Sequence, residues 1–461
     1  MTDMQRVYRK SFPWLLCLAV VLQYPSAAQV SAQSATSYEA RQNPAPMTID
    51  VLAFGAKGDC HTDDSRAINL AIAKLEASEF HSGVVFFPPP AGGCYLIASP
   101  IVLSGQNPYV DENNYSHISL IGSGRGVSVI KAGTIMDAVL EKDEIWNRGH
   151  TVSDLSFDAN GKANCAIWWR RGSEGRFTRV EGLNALKADL CLNDHENFFS
   201  DSYFSNDTTF PDYNILLTTD PASPTVYPTD NEFTNNVLRN ARISNIREGS
   251  GANHWLSNHG YNYGNGNPPP HYNFISNGGV WIANQADGSQ EAGFLLLSPL
   301  GIITGNYIQG AQTHGICVAP EHAARRVIVA NQVVFSASES NPRNAIVQGS
   351  WNPDRTVSCD ESTQNPGFGT NDVIQGNSPA NNENIWNQIF PAPSATAAPD
   401  VPRVGIGKTD PQAPLDVNGE IRIGGKSVVC SEARAGTLRF DASTRQFLGC
   451  NGTVWMPLSN P

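Results

Sequence analysis

A recurring strand unit constrains this chain more than any other feature. One set reads VSDLSF (152–157), FTRVEG (177–182), FSDSYF (199–204), FTNNVL (233–238), ITGNYI (303–308) and VANQVV (329–334). An interleaved set reads CAIWW (165–169), LCLND (190–194), NILLTT (214–219), GVWIAN (279–284), GFLLLS (293–298), GICVAP (315–320) and AIVQG (345–349). Adjacent starts in the first set lie roughly 22 to 34 residues apart, which is one turn of a solenoid. Parallel strands stacked in this way pair their backbone groups up and down the stack, so the open end needs a cover. Ile49 to Leu75 supplies one: a short strand, turns at Gly55 and Gly58, then a helical period. Ala67, Ile68, Ala71, Ile72 and Leu75 share one helical face, and a cap is available among Thr62, Asp63 and Asp64. Asp59, Asp63 and Asp64 therefore read as turn and cap residues, not as an acidic site. The spacing stretches at 220–230 and 261–272, which predicts loops on one rim, where binding residues concentrate.

Composition agrees with a turn-rich β protein. Only 16% of the 461 residues are charged, while Gly (40) and Pro (30) are plentiful. The formal charge of -12 argues against nucleic acid, whose binding rests on basic patches. Residues 1–32 read as a secretory signal: Arg6, Arg9 and Lys10 precede an apolar core, Phe12 to Leu22, too short to span a bilayer. No later stretch resembles a membrane span, so a secreted, cell-surface or periplasmic protein is expected. Eight cysteines remain after the signal, and an even number in an exported chain predicts disulfides. None has the close spacing of a zinc site. Residues 33–47 form a polar leader.

Val84 to Phe87 reads as a buried strand stopped by Pro88 to Pro90, and Gly122 to Gly126 as a tight turn. The combination of AFGAKGD, TDDSRAINLAI, VVFFPP, YLIASPIVL and SLIGSGRGVSVI resembles the N-terminal coils of the pectate-lyase-like superfamily. That group includes polygalacturonase-like hydrolases, lyases, alginate C5-epimerases and tailspike depolymerases. The resemblance implies an all-β chain folded as a right-handed parallel β-helix with an N-terminal capping helix. Two departures matter. Cys60 stands where the superfamily usually has Gly, and Cys94 sits in the next Gly-rich turn, which suggests a Cys60–Cys94 bridge. The resemblance also admits calcium, which some of its lyases use, although no residue spacing here demands a metal or another cofactor.

The solenoid is expected over residues 48–385, followed by a Pro/Ala-rich linker at 386–403. Residues 404–461 resemble the GIG-TP-LDVNG segments near the C-termini of phage tail fibres and bacterial surface proteins. This implies a small β-rich assembly module and a homotrimer. Cys430 and Cys450 bracket its hairpin-like part and are expected to pair.

If the coils stack, residues just after each second-set strand form one ridge. The ridge reads Trp168, Trp169, Arg170 and Arg171, then Asn193, Asp194, His195 and Glu196, then Asp220, Asn284, Asp287, Glu321, His322 and Trp351. Rings to stack on sugars, cations for uronates and carboxylates for acid/base work suit a carbohydrate polymer. In an extended strand Asp194 and Glu196 would face the same way about 6.5–7 Å apart, near the separation of an inverting glycosidase pair. The segment also resembles the Asp-Pro-His-Glu element of alginate epimerases, with Asn193 where that family has its aspartate. His254, Asn258 and His259 are weaker cleft candidates. His314 resembles the polygalacturonase Gly-His-Gly without its accompanying aspartates. Asn235-Asn236 reads as part of an internal hydrogen-bond ladder.

The expected function is an exported protein that binds and cleaves a polysaccharide by hydrolysis or β-elimination. Asp194, Glu196 and His195 are the catalytic candidates. Trp168, Trp169, Arg170, Arg171, His259, Glu321 and His322 are the candidates for binding substrate. A uronan C5-epimerase and a non-catalytic glycan-binding adhesin or spike remain the alternatives.

Overall fold

A computed structural model describes residues 47–78, 81–103, 117–142, 147–219, 227–262, 269–320 and 325–334, short strand segments between 346 and 417, and residues 429–441 and 443–458. The chain winds as a right-handed parallel β-helix, each coil contributing one strand to each of three sheets. Among the described residues the sheets hold 12, 11 and 10 strands, the terminal coils not contributing to all three, and within each the strands pair in parallel in chain order. A representative coil runs Thr151–Ser153 in the first sheet, Ser156–Asp158 in the second and Ala163–Arg170 in the third.

The corner between the first and second sheets explains why the coil closes. It is two residues long, and its first residue adopts left-handed backbone in coil after coil: Asp154, Arg179, Asp201, Asn235, Ser257, Ala283, Gly305 and Ala330, with φ of 52–63°. Its second residue is asparagine from Asn236 onward. Asn258 Oδ1 accepts from both the backbone N–H and Nδ2 of Asn236 (3.0 Å each), and Asn284 and Asn306 continue the pattern. The corner from the third sheet back to the first carries a second ladder through Asn197, Asn231 and Asn253. Each ladder satisfies buried polar groups that would otherwise cost about 1–3 kcal/mol apiece.

Inside, the first sheet stacks aromatic rings. Phe177, Phe199, Phe233, Trp255 and Trp281 follow one another at centroid distances of 4.4, 4.8, 4.0 and 4.8 Å. Those spacings match the separation of neighbouring strands, so parallel register alone brings like side chains together.

Helix α1 (Ser65–Glu76) closes the first coil with Ile68, Ala71, Ile72 and Leu75 fully buried. Asp63 Oδ1 accepts from Ser65 N (3.0 Å) at its start. Asp64, the residue at the cap position, turns its carboxylate instead to Lys57 N (2.6 Å) and Gly58 N (3.0 Å). Cys60 and Cys94 are disulfide-bonded, as are Cys165–Cys191, Cys317–Cys359 and Cys430–Cys450. Strand Ser82–Phe87 alternates, with Val85 and Phe87 inward and Val84 and Phe86 half-exposed, so it is not the doubly buried strand its apolar run suggests.

Toward the C-terminal coils, the outer face of the third sheet is covered. An antiparallel pair, Ser350–Trp351 with Val357–Ser358, adjoins the Cys317–Cys359 bridge, and Tyr272, Ile275, Leu295, Val347 and Val357 cluster there. Residues Leu438–Asp441, Gln446–Cys450 and Trp455–Pro457 form a separate three-stranded antiparallel sheet. The segments expected to be signal, leader and linker lie outside the described residues.

Candidate active site at the ends of the third sheet

Strands Met136–Lys142, Ala163–Arg170, Ala188–Asn193, Tyr213–Leu217 and Ser244–Glu248 are consecutive in the third sheet. Register aligns Glu141, Trp168, Cys191, Leu216 and Arg247 in one outward row, with Arg170 beside Asn193. The Arg170 guanidinium lies 4.0 Å over the Trp168 ring and pairs with the Glu141 carboxylate. Further along, Arg247 Nη1 donates to Tyr213 Oη at 2.8 Å.

Below this surface the turn after Arg170 is held from both sides. Lys142, 1% exposed, donates through Nζ to the carbonyls of Arg170 (2.7 Å) and Arg171. Asp194, fully buried, accepts the Gly172 N–H at 2.7 Å and the His195 N–H at 2.9 Å on Oδ1. The clamp fixes Arg171 in left-handed backbone (φ 48°), a conformation that a non-glycine residue holds only when its surroundings dictate it. Burial pushes the Asp194 carboxyl up to about 6, against the opposing pull of the Lys142 charge and the two N–H donors. Its Oδ2 is buried without a hydrogen-bond partner. His195 Nδ1 sits 3.9 Å from Asp194 Oδ1, and its side chain is 28% exposed. Nearby, His150 is buried edge-on against Trp169 (5.9 Å between ring centroids). Burial, then the Lys142 charge, lowers its pKa to about 3.

The single ridge is only partly realised. Trp168, Arg170, Arg171, Asp194, His195 and Glu196 do gather on neighbouring coils. Trp169 does not join them: it follows Trp168 in the same strand, so it points inward and is 1% exposed in the core. It cannot bind substrate. The inverting pair of Asp194 and Glu196 also fails, because the strand ends at Asn193. Glu196 has φ 55° and is exposed while Asp194 is sealed, so the two carboxylates do not share a strand face. His259 and Asp287 lie on the outer face of the second sheet, away from the row of Trp168. Asn284 belongs to the corner ladder. His314 is buried within the third sheet beside Ala292. Asp220, Glu321 and His322 lie outside the described residues. Among the described residues no three His, Cys, Asp or Glu side chains gather to hold a metal ion.

Sequence reasoning missed Glu141, Lys142, His150, Tyr213 and Arg247. A charged pair closing the strand MDAVLEK, after its apolar run Ala138–Leu140, was the available signal for the first two. Nothing in the sequence distinguishes Tyr213 or Arg247 before their coils are placed.

The family described as "Rhamnogalacturonase A/epimerase, pectate lyase-like" matches residues 48–179. A protein of Arthroderma benhamiae named "Probable glucan endo-1,3-beta-glucosidase" is 31% identical over 109 residues, 22% of this chain and 11% of that protein. "Non-secreted LysM effector LysM19" of Penicillium expansum is 35% identical over 137 residues, 26% of this chain and 10% of that protein. The aligned part thus spans about a tenth of the length of these relatives. Among solved structures, ORF18 of Geobacillus virus E2 aligns over 90% of this chain and 86% of its own, with a TM-score of 0.51 and 14% identity. The A-module of the Azotobacter vinelandii mannuronan C-5 epimerase AlgE6 covers 72% of this chain and 99% of its own, with a TM-score of 0.49 and 16% identity. Three parallel sheets wound as one solenoid make this chain a parallel β-helix, and its first coils, residues 48–179, match that pectate-lyase-like family.

Proposed function

We propose that the protein acts on a polysaccharide lying across the open part of the third sheet, with His195 as the proton-transfer group. The observation that carries this reading is a partly exposed imidazole 3.9 Å from a sealed carboxylate, one coil from the Trp168–Arg170 platform. Asp194 orients the turn and holds charge beneath His195, while Glu196, exposed on the same turn, supplies the second ionisable group. Trp168 offers a ring to a sugar face, and Arg170, Arg171 and Arg247 offer donors to carboxylates or hydroxyls. Because the two carboxylates are not opposed across a strand face, the arrangement favours elimination by an imidazole base over inverting hydrolysis. The likeness of part of the chain to a protein named "Probable glucan endo-1,3-beta-glucosidase" supports a glycan substrate.

The test is a panel of acidic and neutral polysaccharides, read for new reducing ends and for ultraviolet absorbance of unsaturated products. Elimination gives both signals from an acidic glycan, and His195→Ala should lower the rate at least about 100-fold. Full activity in His195→Ala would remove the assignment. A second reading, non-catalytic glycan binding, draws support from the Glu141 carboxylate that neutralises Arg170 and from the complete burial of Asp194. It predicts retention of a glycan that is never shortened.

Export and self-association belong to the same proposal. Four disulfides support an oxidising compartment. The small C-terminal sheet leaves Leu438, Phe447, Met456 and Leu458 about half exposed on one face, which supports assembly of copies through that module. Light scattering of the full chain should give a mass above one protomer, reduced by Leu438→Ser with Met456→Ser. A monomer before substitution would end the assembly reading.

A further inference from the structure

Three successive coils of the second sheet carry a patch that the third-sheet site does not use. Strands His259–Tyr261, Gln285–Ser289 and Tyr307–Ala311 pair in register. Their outward residues therefore form two rows: His259, Gln285, Tyr307, and Tyr261, Asp287, Gln309. With strands about 4.8 Å apart and alternate residues about 6.7 Å apart, the tile measures roughly 10 by 7 Å. None of the six is aliphatic, and all are half-exposed or exposed. The same coils of the first sheet present His254, Val280 and Ile302 beside Leu256, Ile282 and Thr304. At these coils the first sheet is thus mostly aliphatic where the second is polar and aromatic.

The tile is tied together before any ligand arrives. Asp287 Oδ2 accepts from Gln285 Nε2 and contacts His259 Nε2, both at 2.8 Å. Tyr307 Oη donates to Gln309 Oε1 at 3.2 Å, and the His259 and Tyr261 rings stand 4.7 Å apart. Side chains fixed in this way lose little entropy on binding. The remaining carboxylate oxygen, Asp287 Oδ1, is buried beneath the tile without a hydrogen-bond partner in the protein, so Asp287 serves to hold the tile and not to meet a ligand.

We propose that this tile is a separate binding site for an uncharged glycan, about two sugar units long and running along the solenoid axis. The rings offer faces for the C–H surfaces of a sugar, while the Gln285 and Gln309 amides, held in place through Asp287 and Tyr307, offer the mixed donors and acceptors that hydroxyls require. The carboxylate at its centre, with no Arg or Lys among the six residues, disfavours a polyanion. A protein partner would need a desolvated apolar or aromatic centre, and here the centre is Gln285 and Asp287.

The experiment is affinity electrophoresis of the full chain in laminarin, amylose and polygalacturonate, backed by circular dichroism to confirm the fold. The wild type should be retarded by a neutral glycan. Gln285→Ala with Tyr307→Ala should weaken that retardation about tenfold or more, whereas His195→Ala should leave it intact. If the double variant loses its fold, Asp287→Asn and Gln309→Ala decide, each expected to weaken binding. Unchanged retardation in the folded variants, or no retardation of the wild type by either neutral glycan, overturns the proposal. Loss of retardation in His195→Ala also overturns it, since binding would then belong to the third sheet. Failure of the catalytic reading would leave the retardation unaltered, so the two ideas fall separately.

Discussion

Trp168 and Trp169 show what one residue of parity decides. Both are tryptophans at the end of an apolar run, and the sequence offers no reason to part them. The strand continues to Arg170, so alternation sends Trp168 outward under a guanidinium and Trp169 into the core against Phe177 and His150. A strand that ended before the two tryptophans would leave both on the surface; the strand runs through them to Arg170. The reverse separates Asp194 from Glu196, because that strand stops one residue before the first carboxylate. His150 was passed over because a histidine's burial is not visible in its neighbours. Its burial has a measurable consequence. The unfolded chain binds a proton at His150 below about 6.5, whereas the folded chain does so only near 3. The stability contributed by the neutral ring is therefore present above pH 6.5 and is lost as pH falls through that window, by up to about 1.4 kcal/mol per pH unit. Thermal melts of the wild type between pH 7 and 4 should fall more steeply than those of His150→Gln. Parallel slopes would show that His150 is not held neutral in the fold.

At the scale of elements, the corners carried the legible signal and some strands hid it. Asn235-Asn236 and the recurring first-set unit predicted a ladder, and the ladder runs through Asn236, Asn258, Asn284, Asn306 and Asn331. Grouping GVWIAN with the third-sheet strands was a misreading. Val280–Ile282 belongs to the first sheet, and Asn284 is the corner residue that follows. The third-sheet strands Ser244–Glu248 and Tyr272–Ser276 went unrecognised because polar residues occupy their buried positions. Asn245 and Asn273 hydrogen-bond to each other there, in line with Asn214 and the buried carboxyl of Asp189. Earlier coils put Leu155, Val180 and Ser202 at the position that becomes Asn236, so the corner itself does not require asparagine. What asparagine adds is satisfaction of donors in its neighbours. Asn258→Ala strands the backbone and side-chain N–H groups of Asn236 and should cost about 2–4 kcal/mol in urea unfolding, against less for Asn258→Ser. A cost within error of zero would mean that water replaces the ladder.

For the whole molecule, a stack of parallel strands must be closed at its first coil, and α1 lies over that coil. Every coil of the solenoid is covered by the next, and among the described residues α1 is the helix that packs over the first one. Ile72 is 1% exposed against the first coil, while Leu70 on the same helix is 47% exposed. The two positions therefore separate helix propensity from closure. Ile72→Asp forces a carboxylate into the seal or lifts the helix, losing about 1.5–3 kcal/mol of apolar burial before any charge cost. Lifting the helix also bares the end of a strand stack, a template for pairing with other chains. The expected outcome is a lower thermal midpoint together with concentration-dependent light scattering for Ile72→Asp. Leu70→Asp, with the same charge on the solvent face, should show neither change. The Cys60–Cys94 bridge ties the turn ahead of the helix to the turn before the next strand, so reduction should deepen the Ile72→Asp defect and affect Leu70→Asp little. Equal behaviour of the two variants would mean that the solenoid closes without its helix.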